Sequence, residues 1–84
     1  MSEEQAIEIW EKIVSVLDEK MQYGFLEQVK AVRKVDLKGE TLILTVDSEE
    51  ARDFFLADVN QQRLFIVSRP IHPLTNIKVE SAPP

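Results

Sequence analysis

The sequence predicts an α+β domain in the order helix, helix, strand, strand, helix, strand, with helices packed on one face of a three-stranded sheet. Three observations carry that reading. Ala6, Ile9, Trp10, Ile13, Leu17 and Met21 recur at helical spacing at the start of the chain. Residues 32–37 and 41–46 alternate apolar and polar side chains instead, the strand period. A second helical pattern begins at Ala51 and is stopped by Pro70 and Pro73, ahead of a short strand-like run.

The first element, SEEQAIEIWEKIVSVLDEKM, opens on Ser2 with Gln5 three residues later, a capping-box pattern. Glu3 and Glu4 suit the positive end of the helix dipole. Ile7 and Val14 lie off the main stripe, and a helix apolar on more than one side has two things to touch. Gly24 is the expected terminator, since glycine enters the left-handed region without steric cost. In the following FLEQVKAV, Phe25, Leu26 and Val29 share one side of a short helix.

Val35 and Leu37 alternate with charged residues in VRKVDL, as do Leu42, Leu44 and Val46 with Thr41, Ile43 and Thr45 in TLILTV. Lys38-Gly39-Glu40 between them predicts a β-hairpin. Asp47 with Glu50 repeats the capping box, and Ser48 is a competing N-cap. Ala51, Phe54 and Phe55 begin a core-facing stripe. Asp58-Val59-Asn60 weakens the periodicity, so the helix bends or restarts there before LFIV resumes it. NIKV (76–79) predicts a short last strand on a sheet edge. Residues 1–80 are expected to form one interaction domain, with 81–84 as a linker or tail.

With 84 residues, the chain is one domain and buries only about 60–65% of its unfolded surface, a thin core without room for a deep cavity. No cysteine is present, which excludes a disulfide scaffold, thiolate ligands and a Cys nucleophile. The N-terminus has no basic, apolar leader, and no apolar run approaches the ~20 residues of a membrane span; a cytoplasmic protein is expected. The two glycines make neither a P-loop nor a dinucleotide fingerprint. His72 is the single histidine, in a proline-flanked loop with no ligand or base at matched spacing. Glu3, Glu4, Glu8 and Glu11 read as a solvated helix face rather than an acid–base pair. No catalytic residue, metal ligand or cofactor is therefore assigned, and no enzyme activity is expected.

The net charge is −5, the wrong sign for a phosphate backbone. Lys30, Arg33, Lys34 and Lys38 cluster in sequence, either as a solvated strand surface or as a weak nucleic-acid face. What remains is apolar surface: Trp10, Tyr23 and Phe25 are either core residues or exposed anchors of a protein interface.

The chain resembles domain I, the N-terminal domain of the bacterial chromosomal replication initiator DnaA. The resemblance runs without a gap from Ile9-Trp10, through Ile13, Leu17, Leu26 and Val29, to the strand GETLILTV and Ala51-Arg52-Asp53-Phe54-Phe55. Val29 stands where that family usually has Trp, Asp47-Ser48 where it often has Pro-Asn, and Glu50 where an aromatic is common. The proline-bearing last third matches only loosely, and the family's ATPase and DNA-reading domains have no counterpart here; a domain cut from a longer chain and a stand-alone relative both fit. FLEQVKAV, LKGETLIL and NQQRL also resemble the C-terminal region of the clamp-loader tau subunit, a polymerase or helicase docking segment.

The first resemblance implies a KH-like α+β outline that works by protein contact, with itself as a weak homodimer, with the replicative helicase, or with initiation regulators. Carried over by position, Trp10, Ala6, Ile7 and Ile13 become self-association candidates and Phe25 and Glu50 partner-docking candidates, with Tyr23 joining the docking set from its place at the helix junction. KH-like nucleic-acid binding normally uses a Gly-x-x-Gly loop, which this chain lacks.

Overall fold

The structure is a computed structural model that describes residues 2–82, with side chains from residue 3 onward. Helix α1 (Ser2–Glu19) and α2 (Tyr23–Val29) precede a hairpin of β1 (Val32–Lys38) and β2 (Thr41–Val46). Helices α3 (Glu49–Leu56) and α4 (Asp58–Ser68) then lead to β3 (Asn76–Ser81). The α+β class, the hairpin and the edge position of the last strand are as expected. The strand order is β1-β2-β3, with β1 antiparallel and β3 parallel to the central β2.

The period-2 pattern fixes which face is covered. Val35, Leu44 and Val79 stand in one row across the sheet, and Leu37, Leu42 and Ile77 in the next, all buried. Burying one face rather than the other fixes the register, because a one-residue slip would turn every side chain over. Helix α1 packs along β1, and α3 packs against β2 and β3. The opposite face, with Lys34, Asp36 and Lys38 beside Thr41, Ile43 and Thr45 and then Lys78 and Glu80, is left uncovered by any helix. A bulge at Arg33 offsets β1 against β2 between Val32 and Lys34.

The third predicted helix is two helices. Ala57 is extended (φ −61°, ψ 135°) and serves as the C-cap of α3 and the N-cap of α4. Its side chain makes no cap for α4, and α4 in turn supplies donors for the carbonyls at the end of α3. Asn60 Nδ2 donates to the Phe54 carbonyl and Gln61 Nε2 to the Phe55 carbonyl, both at 2.8 Å. Gln61 Nε2 also reaches the Ile77 carbonyl at 3.3 Å, tying this corner to β3. The polar pair that interrupts the apolar pattern is thus what closes the corner.

Three local expectations are corrected. Gly24 does not terminate α1; it lies within α2 and has no positive φ. The left-handed residue is Met21 (φ 57°), with Gln22 N–H donating to the Leu17 carbonyl and Met21 N–H to the Asp18 carbonyl, the two bonds of a Schellman cap. Ser48, not Asp47, caps α3: its hydroxyl accepts from Ala51 N–H at 3.1 Å, while Asp47 pairs with Arg33. The tail begins later than residue 81, since β3 includes Ser81 and Ala82 N–H donates to the Val46 carbonyl. Of that tail, residues 83 and 84 lie outside the described residues, as does the side chain of Ser2 on which the first capping box rests.

Gly39 holds the first of the two turn positions at φ 62° with nothing within 4 Å of an added Cβ, so its constraint is torsional. Gly39→Val is expected to destabilise the fold by about 1–2 kcal/mol. Met21→Gly should do the reverse, by about 0.5–1 kcal/mol, because an exposed Met in the left-handed region loses strain and little packing. Urea denaturation of both variants checks the two signs together.

Candidate interaction surface

Trp10 is held in the core by a neighbouring ring. Its indole meets Phe55 edge-on, with centroids 6.1 Å apart and planes at 73°. Phe54 packs against Phe55 at 5.6 Å and against Phe25 at 5.0 Å, both T-shaped. These four rings join α1, α2 and α3, and each pair adds attraction beyond its buried area.

That interlock corrects the self-association set. Ala6 and Ile13 are fully buried and Trp10 is 7% exposed, because all three belong to the hydrophobic core. Only Ile7, at 43% exposure, faces solvent. The docking set divides likewise. Phe25 is buried under Phe54, whereas Tyr23 and Glu50 are exposed.

The accessible apolar surface lies beside these positions. Between α1 and α2 runs an open groove of about 500 Å³. Its apolar lining is the edge of Trp10 with Val14, Leu26 and Val29, the last three half-buried against the core. Glu11, Ser15 and Asp18 form its α1 rim. The groove arises because α2 is only seven residues long and leaves the α1 flank at Val14 partly uncovered. On the other flank of α1, a second open groove has Lys12 among its lining, with Val16 and Ile71 as its apolar residues. Val59 and Ile66 are exposed on the outer side of α4, opposite buried Leu64.

The basic stretch is dispersed by the fold. Arg33 sits at the bulge and donates from Nε to Asp47 at 2.7 Å. Lys30 pairs with Glu27 at 3.4 Å. Lys34 and Lys38 share the uncovered sheet face with Lys78, but Glu80 stands in the row of Lys34 and Asp36 in that of Lys78, and no aromatic ring lies on that face to stack a base. His72, half-buried in the α4–β3 loop, joins no such cluster: among the described residues no three His, Asp or Glu side chains gather as a metal site. Every buried side-chain nitrogen or oxygen there has a hydrogen-bond partner. No helix among them is long and apolar enough to cross a membrane.

Charge is unevenly placed. Helix α1 carries Glu3, Glu4, Glu8, Glu11, Asp18 and Glu19 against Lys12 alone, a net −5 that equals the charge of the whole chain. From residue 20 onward, acids and bases balance. Of the residues that line the groove, sequence reasoning passed over Glu11 and Asp18 as a rim; counting charge by element rather than by chain would have found them.

Comparison with family models, curated proteins and solved structures finds no match for the chain.

Trp10→Ala is expected to cost about 3–4 kcal/mol of stability through the cavity it leaves against Phe55. Loss of binding in that variant would report unfolding, whereas Ile7→Asp should leave the denaturation midpoint nearly unchanged. Thermal melts followed by circular dichroism separate the two.

Proposed function

We propose that the chain is a protein-docking module of bacterial replication initiation, acting in the manner of DnaA domain I. Its candidate partners are a second copy, the replicative helicase and initiation regulators. The observation that carries this reading is the groove between α1 and α2, where Trp10, Val14, Leu26 and Val29 leave an apolar strip open beside the core. Protein interfaces centre on such strips, with polar residues around them. The gapless register from Ile9 to Phe55 supports the initiator assignment, and the α+β element order agrees with the outline that resemblance implies. The tau-like reading belongs to the same class. Part of its support, NQQRL, has a separate use in this chain, because Asn60 and Gln61 close the α3–α4 corner. A cytoplasmic setting follows from the initiator reading.

Self-association now rests on Ile7 and the outer side of α1. Two such helices face to face bring together two net charges of −5, so the homodimer is weak and salt favours it. Sedimentation velocity from about 10 µM to about 1 mM protein should show association that strengthens from about 0.05 M to about 0.5 M salt and is lost in Ile7→Asp. Purified replicative helicase from the source organism should be retained on the immobilised domain. A strict monomer across that range, with no helicase retained, would overturn the reading.

A further inference from the structure

We infer that the groove between α1 and α2 receives a basic amphipathic helix of a partner protein. The inference rests on the docking reading above and names the chemistry of the partner. The lining sets the apolar half of the match. Trp10, Val14, Leu26 and Val29 form a strip walled by two helices, with no strand edge along it to pair an extended peptide. From Trp10 to Asp18 the α1 wall is about 12 Å long, some two turns of helix. A docked helix therefore engages it with apolar residues at i, i+3 or i+4, and i+7.

Charge sets the other half. Glu11 and Asp18 stand on the rim, and neither belongs to an ion pair among the described residues. Glu27 of α2 and Lys30, its C-cap residue, neutralise each other, so the opposite wall adds no net charge. The remaining acids of α1 extend the same negative field around the groove while the rest of the chain is neutral. Lysines or arginines flanking the apolar stripe of a docking helix meet that field, which speeds encounter and fixes orientation. The same field repels the two other surfaces that attract amphipathic proteins, nucleic acid and anionic lipid.

Trp10 is the single tryptophan and lines the groove, so its emission reports occupancy directly. The probe is a tryptophan-free helical peptide of about 18 residues with leucines at the i, i+3, i+4, i+7 positions and lysines flanking them. Its counterpart carries glutamate in place of lysine. The lysine peptide is expected to shift Trp10 emission saturably, and the glutamate peptide to leave it unchanged. Glu11→Lys with Asp18→Lys should weaken binding at least about tenfold. Glu40→Lys with Glu80→Lys, an equal change of net charge on exposed residues away from the groove, should weaken it much less.

Equal weakening by both pairs would mean bulk attraction between opposite charges and would overturn the inference. Binding by both peptides, or by neither, would overturn it as well. Failure here together with retained helicase leaves the docking reading standing on another surface. Salt keeps this contact apart from self-association, since the lysine peptide is released as salt rises whereas the homodimer strengthens.

Discussion

The edge-to-face contact between Trp10 and Phe55 is the constraint on which the arrangement of the helices depends. Phe55 is fully buried, and through it and Phe54 the rings of α1, α2 and α3 form one continuous contact above the sheet. A domain this small has few such contacts to spare. Fixing α1 by its tryptophan determines which of its sides are left over. The inner side belongs to β1, one flank opens on α2 and the other on Ile71, and the remainder carries the acids. The surface available to a partner is therefore a by-product of how the core closes.

Much of the fold was legible because it follows from period. The α1 stripe, the two alternating strands and the turn at Gly39 each have one geometry that buries their apolar residues, and the structure adopts it. Two kinds of feature were not legible. One is pairing between distant segments: nothing in Asn76–Val79 distinguishes parallel from antiparallel addition to β2, since the choice is made by where α3 and α4 deliver the chain. The other is competition between near neighbours for one role. Gly24 has the better intrinsic preference for the left-handed position, yet the helix ends where Leu17 is the last residue needed in the core, and that places Met21 there. Likewise Ser48 takes the cap because Asp47 is engaged by Arg33.

The candidate surface was half legible for a related reason. Hydrophobic spacing marks residues that must be covered, without saying whether the cover is the same chain or another. Ala6, Trp10 and Ile13 are covered by the chain's own sheet and helices, and Val14, Leu26 and Val29 only in part. The distinction is set by the brevity of α2. The acidic bias was visible from composition, but its meaning depended on its confinement to one helix. A net charge spread evenly keeps a protein soluble; the same charge on one wall of an apolar groove selects what approaches it.

The parallel partner of the central strand is also the last element of the fold. During synthesis α1, α2 and the hairpin leave the ribosome well before β3, whose Ile77 and Val79 complete the two buried rows. Until then β2 has an unpaired edge, and Gln61 lacks the Ile77 carbonyl that fastens the α3–α4 corner. Closing that edge requires pairing residues 35 positions apart, the kind of contact that forms slowly. The nascent chain therefore passes through an interval in which a strand rich in leucine and isoleucine is open to any other strand, and the speed with which β3 arrives sets how long that exposure lasts.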